Sequence, residues 1–334
     1  MDRRERVIAA IQHKDTDIVP YWADFTGIEE EKMIKYTGNP DFVNSFGKHI
    51  DYTTTMDFRY KDPKDNDYEY DEFGSRWYVG KEDIGIVVGC PLKDKALWEY
   101  DFPEPDESKI RANIESMLNN GRDTFKMVNI GFTMYERAWA LRGIEDVLCD
   151  MVAEPEFLEG LMKKITDYDL ACMEIAMTCG DFDAFESGDD WGQQRGLIMG
   201  RPHWEHYIRP GMQRIFDYAH EHGKFIIHHA CGDNNELLGP LTEMGLDVYE
   251  TFQPEVYDIV TIKKTLGDRL AFLGGISTQA LLPVATPDVV KSETRRIMEI
   301  MSVSGGYIAA PTHAVPWDVP EENVMAMLDV FMNQ

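Results

Sequence analysis

The stretch KFIIHHACGDNNELLGPLTEMGLDVYETFQ, residues 224–253, decides the fold. An apolar run ends in two histidines and a cysteine, a segment with helical spacing follows up to Gly245, and a second strand-like run completes the stretch. Two strands joined by one amphipathic helix are typical of parallel pairing through a right-handed crossover. We therefore predict a β-strand, α-helix, β-strand unit.

The same alternation recurs along the chain. Further strands are predicted at TDIVPYWADF beginning near Asp17, FKMVNIGF, DFDAFESGDDWG, RLAFLGGIS and YIAAPTHAV. So many units in 334 residues favour a closed (β/α)8 TIM-type barrel over an open doubly wound sheet. We expect one barrel domain over residues 1–334, opened by the helical segment RRERVIAAIQHK. Residues 60–110, rich in Asp, Lys, Tyr and Pro, predict an antiparallel hairpin or cap insertion.

Composition narrows the class of protein. The net charge of −27 repels phosphate groups, which argues against nucleic acid and anionic membranes as partners. No apolar run approaches the roughly 18 residues of a membrane span, and the N-terminal stretch is charged, so we expect a soluble cytoplasmic protein. The five cysteines form no CxxC pair and suit a reducing compartment. GxGxxG after the first strand and GxxxxGK[ST] are both absent, so the common nucleotide motifs are missing.

Polar side chains collect where the predicted strands end, which is the functional face of a parallel barrel. Successive strand ends carry Glu186, Asp189, Asp190 and Trp191; His229 and Cys231; Glu250 and Gln253; Gly274, Gly275 and Ser277; Thr312 and His313. From these we predict catalytic roles for Glu186, Asp190, Gln253 and His313, and cofactor contacts for Gly274, Gly275 and Ser277.

The HHAC segment suggests a metal site. Residues i and i+2 of a strand share a side, so His229 and Cys231 project together while His228 points the other way. Imidazole and thiolate suit zinc. We predict His229, Cys231 and His313 as ligands with one open position, the pattern of a catalytic site, and Asp190 or Glu186 as a fourth ligand or a partner of an imidazole. The alternative is a buried structural cysteine beside a hydrogen-bonded histidine.

The chain resembles the uroporphyrinogen decarboxylase superfamily, which includes cobalamin-dependent methyltransferases. The resemblance spans nearly the whole length and is strongest in HHACGDNNELLGPLTEMGLDVYETFQP, LGDRLAFLGGIS and GGYIAAPTHAVPWDVPEENVMAML. It implies a distorted (β/α)8 barrel. True decarboxylases carry an arginine-rich segment after the first strand that binds the substrate's carboxylates. Here VPYWADFTGIEEEK has no arginine and added negative charge, which would repel an octa-acid.

The methyltransferase branch is the more similar one. Its zinc enzymes have an H-x-C pair on a barrel strand, as at His229 and Cys231, and commonly a cysteine in the last-strand loop, where this chain has His313. The resemblance implies a zinc ion and a corrinoid carried on a separate protein. It also implies a small methyl donor or acceptor, such as a thiol or a methoxylated aromatic; with the latter, the enzyme would catalyse O-demethylation. A decarboxylase or other lyase and a non-catalytic corrinoid-binding protein remain alternatives, and a homodimer stays open.

Overall fold

The computed structural model describes residues 1–80 and 85–334. The strands form three sheets: a seven-stranded parallel sheet in the order β1-β6-β7-β10-β11-β12-β13, a four-stranded sheet in the order β2-β3-β4-β5, and a two-stranded β8-β9 ribbon. The strands are β1 Ile50–Thr54, β2 Arg59–Lys61, β3 Tyr68–Asp71, β4 Arg76–Tyr78, β5 Ile86–Gly89, β6 Phe125–Phe132, β7 Ala184–Gly188, β8 Gly192–Gln193, β9 Gly196–Leu197, β10 Phe225–His229, β11 Val248–Thr251, β12 Ala271–Ile276 and β13 Tyr307–Pro311.

Helices alternate with the parallel strands. They are α1 Arg3–Ile11, α2 Gly27–Thr37, α3 Phe42–Ser45, α4 Glu107–Leu118, α5 Met134–Arg142, α6 Ile144–Ala153, α7 Pro155–Met177, α8 Arg201–His203, α9 Arg209–Glu221, α10 Asn235–Met244, α11 Ile259–Leu266, α12 Pro287–Met301 and α13 Glu321–Met332. A 3-10 turn covers Leu97–Glu99 and a π-helical turn covers Trp204–Ile208. Within the described residues, none of these helices has both the length and the apolar character needed to cross a membrane.

The chain divides into two compact units. The first comprises Met1–Asp51, Gly121–Lys126 and Cys231–Gln334. In it β12 pairs in parallel with β11 and with β13, and every residue of these three strands is buried. Strands covered on both faces need apolar side chains along their whole length, and AFLGGI and YIAAP supply them.

The predicted first strand near Asp17 is wrong as a continuous strand. Tyr21 and Phe25 each make one isolated parallel bridge, to Ala309 and Val315. Pro20 has no N–H to donate, although its carbonyl accepts the N–H of Ala309 at 2.9 Å. The segment also reaches the residue before β1, because the N–H of His49 donates to the carbonyl of Tyr21 at 3.0 Å. It therefore occupies a strand position without forming a regular ladder.

The second unit comprises Tyr52–Asn120 and Met127–Ala230. Here β7 pairs in parallel with β6 and β10, and the long amphipathic helix α7 has Pro155 at its first turn. Between residues 59 and 89 the four-stranded sheet is antiparallel throughout. This sheet lies in the segment predicted as an insertion, of which residues 81–84 fall outside the described part of the chain.

Candidate metal centre

The two histidines that end β10 have different surroundings. His228 is fully buried, its Nδ1 lies 2.8 Å from the Ser187 hydroxyl, and its ring stacks on Trp191 at 4.4 Å between centroids. His229 is half-buried and has a ring nitrogen within 4.8 Å of a Glu186 carboxylate oxygen. His228 is thus held by packing on one side of the strand, which leaves His229 as the ligand candidate.

The structure brings Cys231 and His313 together. The Cys231 sulfur lies within 4.8 Å of a ring nitrogen of His313, and both side chains are half-buried. His229 precedes Cys231 by two residues in the chain. Ligands on tetrahedral zinc, at bonds of 2.0–2.3 Å, are about 3.3–3.8 Å apart, so a small side-chain adjustment suffices. One thiolate and neutral imidazoles are a donor set that zinc accepts.

Gln253, predicted as catalytic, supports the loop that carries the cysteine. Its Oε1 accepts the N–H of Gly232 at 2.7 Å, and the residue is 3% exposed. The two residues before it, Thr251 and Phe252, have φ of 76° and 32°. A left-handed backbone at such residues costs about 1–3 kcal/mol each and is characteristic of functional sites. The left-handed backbone at Thr251 and Phe252 thus directly precedes the residue whose side-chain amide binds the loop after β10.

Close packing of the chain explains why glycine is needed at one of the positions predicted to contact a cofactor. Gly274 has φ of 128°, and a Cβ there would lie 2.3 Å from the Thr251 carbonyl oxygen. Ser277 is 3% exposed, bonds to the Glu255 carboxylate, and accepts the N–H of Ala280 at 2.7 Å. Contact of Gly274, Gly275 and Ser277 with a cofactor stays a prediction.

The carboxylates in and just after β7 have two different roles. Asp189 is fully buried and accepts the N–H groups of Tyr135 and Glu136 at 3.0 and 2.7 Å, so it caps α5, while burial raises its pKa to about 7. Glu186 accepts the Asn129 amide at 2.7 Å beside His229. A carboxylate there can hold the second ring nitrogen of a ligand histidine and fix its tautomer.

Sequence reasoning missed Glu136. Burial first, then the charges of Asp190 and Asp189, raise the pKa of the Glu136 carboxyl well above its ordinary value, and the Asp190 backbone N–H donates to it. Asp190, predicted as catalytic, thus lies beside a second acid. Glu136 lies on a helix rather than at a strand end, so the strand-end pattern does not include it.

A buried ion pair was also missed. Arg137 is 1% exposed and pairs with Asp57 and Asp71, the latter at 3.1 Å. Asp57 follows β1 and has φ of 61°, a left-handed backbone that aspartate tolerates better than most residues. The available signal was the charged pair Glu136 and Arg137 among the mainly apolar residues of α5.

Comparison with known proteins places the chain in a family. The family model described as Uroporphyrinogen decarboxylase (URO-D) matches residues 133–333. The chain belongs to this family, which confirms the resemblance seen in the sequence.

The curated relatives include proteins named as decarboxylases and one named as a methyltransferase. A uroporphyrinogen decarboxylase of Methylococcus capsulatus is 24% identical over 193 residues, 56% of this chain and 52% of that protein. A methylated-thiol–coenzyme M methyltransferase of Methanosarcina mazei is 24% identical over 189 residues, 56% of this chain and 47% of that protein. The chain thus matches these curated relatives over about half of their length.

Among solved structures, a methyltransferase from Methanosarcina mazei superposes with a TM-score of 0.73 at 17% identity and covers 99% of this chain and 98% of its own. This likeness confirms the predicted α/β fold of the barrel class.

Proposed function

We propose that this protein is a zinc-assisted methyltransferase that moves a methyl group between a small substrate and a corrinoid carried by a separate protein. His229, Cys231 and His313 would hold the zinc, and a fourth position would take the substrate heteroatom. The observation that carries the proposal is the approach of the Cys231 sulfur and a His313 nitrogen to within 4.8 Å, directly after the His229 strand end.

The donor set supports the chemistry. When bound, zinc lowers the pKa of a coordinated thiol and so supplies a thiolate near neutral pH. Cys231 and the two imidazoles would orient the ion, and Glu186 would hold His229 in the tautomer that leaves the other nitrogen for the ion. Two neutral ligands and one thiolate leave a net positive charge on the site, which favours an anionic sulfur or oxygen in the open position.

The names of the relatives agree in part with this proposal. The Methanosarcina mazei relative acts on methylated thiols by its name, so a thiol or thioether is the first substrate class to test. A methoxylated aromatic is the second. An uncharged or monoanionic substrate suits a chain whose net charge is −27.

A decarboxylase is the second candidate, because another relative bears that name. In the segment after the first strand position, Glu29 pairs with Lys32 at 2.6 Å, so part of its negative charge is compensated. The segment still supplies no arginine for substrate carboxylates.

The test is a methyl-transfer assay with zinc-loaded protein, methylcobalamin and a panel of thiols. The reaction is monitored through the loss of the methylcobalamin absorption spectrum. We expect thiol-dependent turnover that Cys231→Ala and His229→Ala each abolish with the fold retained. Cys149→Ala, at an exposed cysteine, is the matched control and should keep full activity.

Three results oppose the proposal. Methyl transfer retained in Cys231→Ala would contradict the metal assignment. Release of carbon dioxide from uroporphyrinogen, without methyl transfer, would favour the decarboxylase. Corrinoid binding with no turnover of any methyl donor or acceptor would favour a binding protein.

A further inference from the structure

Buried polar side chains hold the loop between β10 and α10 in place by hydrogen bonds. It carries Cys231 and turns at Gly232, whose φ is 80°. Asn234 is fully buried at its end, and Tyr249 and Tyr257 are 0% and 4% exposed. Side chains this well shielded from water hold their hydrogen bonds in a low dielectric, where an unmade bond is costly.

Asn234 connects the loop to both tyrosines. Its Nδ2 donates to the carbonyl oxygen of Cys231 at 3.0 Å and to the Tyr249 hydroxyl at 3.0 Å. Its backbone N–H donates to the Tyr257 hydroxyl at 3.0 Å. The amide thus fixes the peptide that follows the proposed thiolate ligand.

Tyr257 and Gln253 secure the next peptide. The Tyr257 hydroxyl donates to the carbonyl oxygen of Gly232 at 2.9 Å and lies 2.8 Å from the Tyr249 hydroxyl. The side-chain oxygen of Gln253 accepts the hydrogen bond from the Gly232 N–H. Both polar groups of Gly232 and the carbonyl of Cys231 therefore have fixed partners, and the Cα–Cβ bond of the cysteine has a fixed direction.

We propose that Asn234 and Tyr257 are positioning residues that set the metal affinity of the Cys231 site by holding the cysteine backbone, although neither side chain is one of the proposed ligands. The proposal rests on the zinc site of the proposed function. A ligand held in place before the ion arrives loses little conformational entropy on binding. Loss of a supporting partner around metal ligands typically weakens metal binding 10–100-fold.

The experiment uses the full chain without substrate. Zinc affinity is measured by competition with a chromophoric chelator in wild type, Asn234→Asp, Tyr257→Phe and the control Asn235→Asp, which makes the same change at an exposed neighbour. In the metal-free proteins, peptide-resolved mass spectrometry follows iodoacetamide alkylation of Cys231, with the exposed Cys149 as internal reference. Circular dichroism and thermal melting report the folded state.

We expect Asn234→Asp to weaken zinc binding 10–100-fold, because Asp cannot donate to the Cys231 carbonyl. Tyr257→Phe should weaken it about 3–30-fold through loss of one hydroxyl, and Asn235→Asp should match wild type. The alkylation rate of Cys231 relative to Cys149 should change at least threefold in both variants. A merely structural role would lower the melting temperature and leave relative alkylation unchanged.

Wild-type zinc affinity and alkylation in both variants would overturn the inference and leave the proposed function standing. If Asn234→Asp does not fold, Tyr257→Phe decides alone. If wild type itself binds no zinc, the proposed function fails, and equal Cys231 alkylation in wild type and Tyr257→Phe would then overturn the positioning role as well.

Discussion

Replacing Arg137 by methionine tests the buried ion pair of the second unit. The guanidinium is 1% exposed, lies 3.1 Å from the fully buried Asp71 carboxylate, and sits 4.0 Å over the Phe73 ring. Methionine keeps much of the volume and removes the charge, which leaves Asp71 as an uncompensated buried anion. Breaking such a pair costs about 3–5 kcal/mol. Asp71 also accepts the Trp77 indole N–H at 3.0 Å, so we expect about 3 kcal/mol, the lower end.

Urea unfolding followed by circular dichroism measures this cost. Arg214→Met is the control, because its pair with Asp167 at 2.9 Å has side chains 47% and 42% exposed and should contribute at most about 1 kcal/mol. Adding Asp71→Asn to Arg137→Met should recover part of the loss by removing the stranded charge. A cost below about 1 kcal/mol for Arg137→Met, equal to that of the control, would refute the reasoning.

Three further outcomes are expected. Burial lowers the pKa of His49 to about 4, below its unfolded value near 6.5, so the His49 contribution to stability is lost as pH falls from about 6.5 to 4, by about 3 kcal/mol in all. The buried Asp189 carboxyl, whose pKa is raised to about 7, acts in the opposite direction over this range, so the measurement is the difference in urea midpoint between wild type and His49→Asn, which should change with pH by this amount. Gly274→Ala should destabilise the fold by at least about 2 kcal/mol, because its Cβ would meet the Thr251 carbonyl. Gly239→Ala has open space around it inside α10 and should gain about 0.5–1 kcal/mol of stability. Equal melting temperatures for these two variants would contradict the steric argument for Gly274. Asp190→Ala should lower zinc affinity about 10-fold, less than loss of a ligand, as a chelator titration would show; a complete loss would make Asp190 a ligand itself.

The sequence was informative where a local pattern decides the structure. Apolar runs broken by amphipathic helices predicted the unit over residues 224–253, and the structure places β10, α10 and β11 there with Gly245 in the left-handed conformation that ends the helix. The i, i+2 spacing also separated His228 from His229, because alternation along a strand is a local property.

Long-range contacts could not be predicted in the same way. The single bridges of Tyr21 and Phe25 depend on where β13 lies, and no periodicity in residues 17–26 reveals them. Arg137 and Glu136 lie on a helix, and their importance comes from carboxylates distant in sequence. The close approach of the Thr251 carbonyl to Gly274 is likewise a contact that the local sequence does not reveal.

X-ray absorption at the zinc edge of the loaded, substrate-free protein tests the central claim most directly. We predict one sulfur scatterer at about 2.3 Å and imidazole nitrogens at about 2.0–2.1 Å, with the sulfur lost in Cys231→Ala. A shell of oxygen and nitrogen without sulfur in the wild type, or failure to bind stoichiometric zinc, would contradict the assignment of Cys231 and His313 to a metal centre.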